Sequence, residues 1–193
     1  MPLAMQRLEG LLRKAMQMYR MVEVGDAVCV GVSGGKDSVA LTLALHHLKN
    51  YYELPFTVHA LTLDPCFGGE QTDYGALENF FARQGIPHTI KRTNIGSVVF
   101  DIRKETNPCA LCAKLRRGAL HRGAKELGCN KVALGHHLDD AVETFYMNLF
   151  VEGRIGCFSP VTWLSKSEVT LIRPMLLASE AAVVRAVREG QLP

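Results

Sequence analysis

The stretch Ser33-Gly34-Gly35-Lys36-Asp37-Ser38 decides the fold, because of what lies on either side of it. An apolar run at residues 27–32 predicts a buried strand, and residues 39–45 have a helical apolar pattern. A glycine turn before a helix can present several backbone N–H groups to an anion, and the helix dipole adds positive charge there. The alternative is an ordinary turn whose serine and glycine serve only to cap the helix. The complete strand, hexapeptide and helix together favour a phosphate-binding loop.

Apolar runs and helical patterns alternate along the rest of the chain. This alternation predicts an α/β fold with an open, mainly parallel sheet and helices on both faces. In such sheets, ligands bind beyond the carboxyl ends of the strands. The predicted strands are 27–32, 56–63, 88–91, 131–134 and 169–173, and the predicted helices are an N-terminal one at about 3–22 and five more at 38–50, 72–84, 110–127, 139–151 and 179–188.

Length and composition indicate one globular domain over residues 1–193. With 48% hydrophobic and 21% charged residues the chain is not of the disordered class, and its net charge of +3 neither requires nor excludes a nucleic-acid partner. No apolar run approaches the ~20 residues of a membrane span, and no signal peptide is recognisable, so we expect a cytoplasmic protein with no membrane partner. Its six cysteines are then expected to be thiols or metal ligands rather than disulfides.

A second motif, Gly135-His136-His137-Leu138-Asp139-Asp140, follows the predicted strand at 131–134. Paired carboxylates opposite a phosphate loop suit Mg²⁺, which prefers oxygen ligands and bridges to substrate phosphates. The alternative is that aspartate caps the next helix and organises the loop. Leu63-Asp64 ends another strand at the same edge of the sheet, and a simple turn before Pro65 is nearly as good an interpretation there.

The pair Cys109 and Cys112 narrows the chemistry. Pro108 precedes a predicted helix, so Cys109 lies at a helix N-terminus, where the thiolate form is favoured. A C-x-x-C pair fits half of a zinc site, a redox pair or part of an iron–sulfur cluster. Zinc normally needs a second pair of ligands, which the sequence lacks, and the motif order is not that of a thioredoxin-like protein.

A basic face is predicted for the helix that follows the cysteines. It consists of Lys114, Arg117, His121 and Lys125, at helical spacing. The segment 103–125 has seven lysines and arginines against one acid. A basic strip beside a nucleotide site suits an RNA phosphate backbone, and we favour this interpretation over a solvated helix face.

Together, these motifs resemble the PP-loop ATP pyrophosphatase superfamily and, within it, the tRNA 2-thiocytidine synthetase family. The similarity runs from about Arg13 to Pro193. It implies an adenine nucleotide alpha hydrolase-like, Rossmann-like fold, the cofactors ATP, Mg²⁺ and a [4Fe-4S] cluster, and tRNA as the substrate. It further implies a sulfur donor, either a cysteine desulfurase or sulfide, and allows a homodimer.

The resemblance also assigns roles to individual residues. In the implied reaction, the carbonyl oxygen of a cytidine in the tRNA anticodon loop attacks the α-phosphate of ATP, pyrophosphate leaves, and sulfur then displaces AMP. Three cysteines hold the cluster in the family, and Cys109 and Cys112 match the first two. The implied ATP-binding residues are Ser33, Gly34, Gly35, Lys36, Asp37, Ser38, Leu63, Asp64, Gly135 and His136. The implied catalytic residues are Asp139, which is also the Mg²⁺ candidate, Lys114 and Arg116, and the implied RNA contacts are Lys114, Arg117, His121 and Lys125.

The chain departs from the family pattern in two places. The family's third cysteine follows the last helix, where this sequence stops at Pro193. We therefore expect a truncated form, with Cys66 and Cys157 as the better substitutes among the other cysteines. The loop at 156–160 lacks a Met-Pro-Pro segment common in relatives. Two other functions stay open: an adenylating ligase of the tRNA lysidine synthetase type, which needs no cysteines, and a non-catalytic ATP-binding iron–sulfur protein.

Overall fold

The computed structural model describes residues 2–103 and 106–193, so Lys104 and Glu105 of the predicted basic segment lie outside the described residues. The helices are α1 (Leu3–Met18), α2 (Lys36–Leu48), α3 (Gly75–Arg83), the single turn α4 (Ile95–Ser97) that runs into a π-helical segment at Val98–Arg103, α5 (Pro108–Glu126), α6 (Leu138–Phe150) and α7 (Glu180–Gly190). The strands are β1 (Ala27–Val32), β2 (Thr57–Asp64), β3 (His88–Arg92), β4 (Lys131–Ala133), β5 (Val161–Leu164) and β6 (Val169–Ile172). Short 3₁₀ turns lie at Phe67–Gly69 and Pro174–Leu177.

The six strands form one sheet in the order β3-β2-β1-β4-β6-β5. All neighbouring strands are parallel except β5 and β6, which form an antiparallel edge hairpin. The predicted α/β class with an open, mainly parallel sheet is therefore confirmed. The sequence prediction missed β5, and it extended the N-terminal helix to residue 22, whereas α1 ends at Met18.

Helices cover both faces of the sheet, as predicted. Val28 and Val30 of β1 point to a core that includes side chains of α1, α2, α3 and α7, whereas Cys29 between them belongs to a second core with α5. This alternation is the period of two that a strand buried on both faces requires. The helix that carries the cysteine pair and the helix that follows the phosphate loop therefore pack on opposite faces of one sheet.

The helix α6 is unlike the others because none of its residues is buried. Tyr146, Met147 and Phe150 are each more than half exposed, and Tyr146 stacks on Phe150 with ring centroids 5.8 Å apart. No helix in the described part of the chain is long and apolar enough to cross a membrane.

Candidate nucleotide and thiol site

The loop Ser33–Ser38 is held in shape by its own hydrogen bonds. The hydroxyl of Ser38 donates to the carbonyl of Gly35 at 2.8 Å and accepts the backbone N–H of Ser33 at 3.2 Å. The N–H of Gly35 in turn points to the Ser33 hydroxyl at 3.3 Å. Gly34 has a φ of +84°, a left-handed conformation that glycine adopts without steric cost. The shape of the loop is thus set by hydrogen bonds among its own residues.

Lys36 and Asp37 are the charged side chains of the loop, and Lys36 is paired with two carboxylates. The ammonium of Lys36 lies 2.9 Å from a Glu180 oxygen and 3.2 Å from Asp37 Oδ2, and the pair with Glu180 is the main reason that the pKa of Lys36 is raised. The second oxygen of Asp37, Oδ1, is buried and has no hydrogen-bond partner among the described residues. A buried carboxylate oxygen without a partner is costly, so an ordered water or a metal ion is its expected partner.

Gly135 brings the second motif against this loop. A methyl group at Gly135 would lie 3.2 Å from the carbonyl carbon of Asp37 and 3.3 Å from the backbone nitrogen of Ser38. The φ of Gly135 is not in the left-handed region, so the requirement for glycine is one of space alone. The contact explains why a glycine is needed here at the end of β4, directly beside the phosphate loop.

The carboxylates of the second motif organise helix starts. His137 and Asp140 form a reciprocal capping box at the start of α6, in which the N–H of His137 donates to Asp140 Oδ2 at 2.8 Å. Asp139 Oδ2 accepts the N–H of Glu180 at 2.7 Å, at the first residue of α7. The capping alternative therefore accounts for both aspartates, and each keeps one oxygen outside these bonds. Among the described residues, no three side chains of the His, Cys, Asp and Glu types lie together as a metal site.

Asp64 has a structural role that its sequence position left open. It is fully buried and accepts hydrogen bonds from the N–H groups of Cys66 and Thr72, each at 3.0 Å, and from the Thr72 hydroxyl at 3.2 Å. Burial alone would raise the pKa of Asp64, but these bonds outweigh it and the pKa lies below its usual value. The side chain holds the loop after β2 and does not line the cleft described next, whereas Leu63 does.

A cleft of about 480 Å³ lies between α5 and the sheet. It runs across the sheet from Leu63 on β2, past Ser33 after β1, to residues of β6 and β5. Within residues 2–103 and 106–193, no acidic side chain lines the cleft. Three arginines and two histidines do: Arg116, Arg117, His121, His136 and Arg173. The cleft is therefore suited to an anionic ligand that extends from the phosphate loop.

The predicted basic face of α5 is not solvated along its length. His121 does not lie on an exposed face: it is buried, its Nδ1 lies 3.2 Å from the Ser167 hydroxyl, and burial lowers its pKa. Its role as an RNA contact stays a prediction. Lys125 is paired with Glu168 at 2.6 Å, and Arg117 points into the cleft. Of the four residues, Lys114 alone is exposed and outside both the cleft and the ion pairs of the described residues.

The sequence prediction did not single out Arg173, which was assigned only as a strand end. It follows β6, is 8% exposed, and lines the cleft. Its Nε donates to His136 Nδ1 at 3.3 Å, and its guanidinium carbon lies 4.8 Å from the centre of the Phe158 ring. The sequence does contain one indication of a role for Arg173: it lies directly before Pro174, at the carboxyl end of a predicted strand.

Cys109 lies in the first turn of α5 and Cys112 about one turn later, and Asn107 caps the helix by accepting the N–H of Ala110 at 3.2 Å. Cys109 is exposed and Cys112 is half-buried, and neither thiol has a hydrogen-bond partner among the described residues. Two thiols spaced by one helical turn fit two corners of a metal or iron–sulfur site. Neither Cys66 nor Cys157 completes a group of three with them in the described structure.

Comparison with known proteins places these features in context. The sequence matches the PP-loop domain family over residues 7–193. It is 37% identical to the tRNA-cytidine(32) 2-sulfurtransferase of Syntrophotalea carbinolica and 32% identical to that of Geobacter sulfurreducens, over 97% of this chain and 72% and 73% of those proteins. The U34-tRNA thiolase NcsA from Methanococcus maripaludis, solved with its [4Fe-4S] cluster, has a similar structure, with a TM-score of 0.76 and 25% identity over 98% of this chain and 64% of that one.

Proposed function

Because this chain belongs to the PP-loop family, and within it to the tRNA-cytidine(32) 2-sulfurtransferases, we propose that it thiolates a cytidine of tRNA in a reaction driven by ATP. The membership confirms the resemblance drawn from the sequence motifs. One structural observation carries the proposal. Cys109 and Cys112 lie near the start of α5, and about two turns after Cys109 the residues Arg116 and Arg117 line the same cleft as Ser33 of the phosphate loop. A single helix therefore joins the thiols to the nucleotide site.

In this proposal, the loop Ser33–Ser38 binds the phosphates of ATP. Backbone N–H groups at the start of α2 and the hydroxyls of Ser33 and Ser38 donate to them, and the helix dipole adds positive charge. Lys36 exchanges its ion pair with Glu180 for the phosphate tail, since a phosphate accepts stronger, charge-assisted hydrogen bonds. Pyrophosphate then leaves readily, because the same donors stabilise its charge.

Magnesium is a second element of the proposal. The unpartnered Oδ1 of Asp37 fits the oxygen chemistry that Mg²⁺ prefers, at the position where the phosphates would lie. Asp139 has one oxygen engaged by the start of α7 and retains the other. We therefore assign Asp37 as the first candidate ligand, and Asp139 as the residue that holds α7 against the loop.

The proposed iron–sulfur cluster takes Cys109 and Cys112 as two of its ligands. Their donor chemistry fits, because thiolates are the usual ligands of such clusters and the two cysteines are spaced by one turn of α5. When bound, the cluster would supply iron to hold the sulfur that is transferred. The chain itself contributes the thiolates, and it contributes the cations of α5 that lie between them and the loop.

The arginines of α5 are proposed to act on the adenylation step. The carbonyl oxygen of the base attacks the α-phosphate, and negative charge builds up on the phosphate oxygens as the bond to pyrophosphate breaks. Arg116 and Arg117 line the cleft and can stabilise this charge. Lys114 lies outside the cleft on the exposed side of α5, so we assign it to the RNA backbone rather than to the reaction itself. The sulfur donor and a homodimer stay predictions.

The test is an analysis of tRNA nucleosides from cells with and without the gene, together with anaerobic purification of the full-length protein. We expect 2-thiocytidine to disappear without the gene, and an iron–sulfur absorption band in the purified protein. Unchanged thionucleosides together with no cluster would overturn the proposal. A modified cytidine that forms in a variant without cysteines would instead identify an amine-adding ligase, and ATP binding without pyrophosphate release on any tRNA would identify a non-catalytic protein.

A further inference from the structure

Arg173 is a buried cation whose charge is not balanced by the described part of the chain. Its Nη1 donates to the carbonyl of Ser159, its Nε donates to His136, and its flat face lies on Phe158. A guanidinium has five N–H donors, so three remain without a protein acceptor in the described structure. The three contacts fix its position but do not neutralise it, because none of them is an anion.

The surroundings of Arg173 increase the cost of burying this charge. No aspartate or glutamate lies within ion-pair distance of it among the described residues. The charged group that opposes it from α5 is Arg117, another cation, and within 2–103 and 106–193 Cys157 is the only group of potential negative charge that affects it. Burial is the main reason that the pKa of Arg173 is lowered. An uncompensated buried charge destabilises a protein unless a ligand supplies the counterion.

His136, which accepts a hydrogen bond from Arg173, is uncharged. Burial and the neighbouring guanidinium lower the pKa of His136, so its ring is neutral near pH 7 and Nδ1 is free to accept from Arg173 Nε. The ring of His136 also contacts Phe158, with centroids 5.1 Å apart. His136 therefore orients the guanidinium without cancelling its charge, and the free donors are directed into the cleft that Arg173 lines.

We propose that Arg173 binds a phosphate group at the end of the cleft away from Leu63, separate from the loop Ser33–Ser38, with His136 as its positioning residue. A phosphate presents planar pairs of oxygens that the guanidinium fork can bind in a bidentate manner. Two sources have this chemistry: the α-phosphate of the nucleotide, and the phosphodiester of the RNA nucleotide that is modified. The inference rests on the proposed function for its ligands, since ATP and tRNA are the substrates proposed above.

The experiment measures the affinities of three probes separately: inorganic pyrophosphate, AMP and an unmodified tRNA transcript. Arg173→Gln keeps a donor for Ser159 and removes the charge. We expect it to bind AMP or tRNA about 10- to 100-fold more weakly, and pyrophosphate as well as the wild type does. Weaker AMP binding would identify the ligand of Arg173 as the α-phosphate of the nucleotide. Weaker tRNA binding, with a salt dependence of the affinity smaller by about one in slope, would identify it as the RNA phosphodiester. Arg173→Lys, which keeps the charge without the fork, should recover part of the loss.

Arg122→Gln is the matched control, because Arg122 is an exposed arginine of α5 outside the cleft. If Arg173→Gln fails to fold, His136→Ala tests the same inference by removing the acceptor of Arg173 Nε together with the ring contact to Phe158, with a smaller loss expected for the same probe. Normal binding of both AMP and tRNA by a folded variant would overturn the inference, as would an equal loss of pyrophosphate. These outcomes concern binding, so they stay distinct from the presence or absence of 2-thiocytidine, which tests the proposed function.

Discussion

The phosphate loop and the cysteine pair are the two reactive regions of this molecule, and they differ in how complete they are. The hydroxyls of Ser33 and Ser38 bond to backbone groups of the loop itself, and Gly135 packs closely against it. Cys109 and Cys112, in contrast, have a fixed backbone in α5 but thiols without partners among the described residues. The loop is therefore shaped by the protein alone, whereas the two thiols need a bound group to complete their site.

This difference indicates where a substitution should act. A change in the loop alters the proposed phosphate-binding surface. The resulting loss of ATP affinity should grow with the number of hydrogen bonds and packing contacts that the change disturbs. A change at a thiol alters no hydrogen bond of the described protein, so its effect on stability should be small, while its effect on sulfur transfer should be total. Substitutions in the two regions test this contrast, and the largest effect is expected at the thiols.

Cys109→Ser should separate the two regions most clearly. We expect no detectable 2-thiocytidine, because a hydroxyl does not replace a thiolate as an iron ligand, and an unchanged affinity for ATP. Thiolation is measured on tRNA nucleosides, and ATP binding by calorimetry. Ala113→Ser, an exposed position in the same helical turn, is the control and should keep both activities. Thiolation at the wild-type level in Cys109→Ser would contradict the cluster assignment.

Gly135→Val should damage the loop region without touching the thiols. Its Cβ would lie 3.2 Å from the backbone of Asp37, and the N-terminus of α2 is too constrained by the Ser38 hydrogen bonds to move easily. We expect ATP affinity to fall by about 100-fold, from an overpacking cost of about 1–3 kcal/mol, while the iron content stays constant. Gly156→Val is the control, because a Cβ there would meet nothing within 4 Å. Equal effects of the two substitutions would show that the close approach at Gly135 does not matter.

The same contrast explains how much of the molecule the sequence predicts. The strands β1, β2, β3, β4 and β6 were predicted to within one or two residues, because long apolar runs and glycine turns are local signals. The edge strand β5 was missed: its residues are half-buried or exposed, so it lacks the apolar pattern of a core strand. The phosphate loop was predictable for the same reason as the core strands, since its geometry is set by adjacent residues.

Roles that depend on distant residues were beyond the sequence. His121 has the spacing of an exposed basic face, but the β5–β6 hairpin covers it and Ser167 contacts it from 46 residues away. Arg173 becomes notable only when β6 lies beside β4 and brings it to His136, 37 residues earlier. A helical period identifies which residues share a face, but it does not identify what packs on that face.

Ser38→Ala should loosen the loop by a smaller amount. The Ser38 hydroxyl links the N–H of Ser33 to the carbonyl of Gly35, and its loss leaves the Ser33 N–H without this acceptor. We expect ATP affinity to fall by about tenfold, in line with the loss of one or two hydrogen bonds of about 1 kcal/mol each. Ser165→Ala, at an exposed position of the β5–β6 turn, should leave the affinity unchanged. An unaffected Ser38→Ala protein would mean that the glycines alone hold the loop.

Glu180→Gln should act in the opposite direction. The substitution removes the negative charge that is the main partner of Lys36. The residue at 180 then competes less with an incoming phosphate for the Lys36 ammonium. Both side chains are more than a third exposed, so the pair is worth at most about 1 kcal/mol and the gain in ATP affinity should be no more than about fivefold. Glu152→Gln, an exposed acid beyond the end of α6, is the control. Weaker binding of ATP would show instead that Glu180 helps to place Lys36.

The smallest expected effect is a pH dependence of stability that arises from His136 in the cleft and has no counterpart in the phosphate loop. His136 has a pKa lowered by burial, so between that value and the unfolded value of about 6.5 the native state binds fewer protons than the unfolded one. Stability should therefore be complete above about pH 6.5 and fall as the pH drops through this window, because protonation also removes the acceptor of Arg173. The loop Ser33–Ser38 contains no histidine. Thermal melts of wild type and His136→Asn from about pH 5.5 to about pH 8 measure this difference: the variant should lose part of the slope, and identical slopes would mean that the titration of His136 is not coupled to the fold.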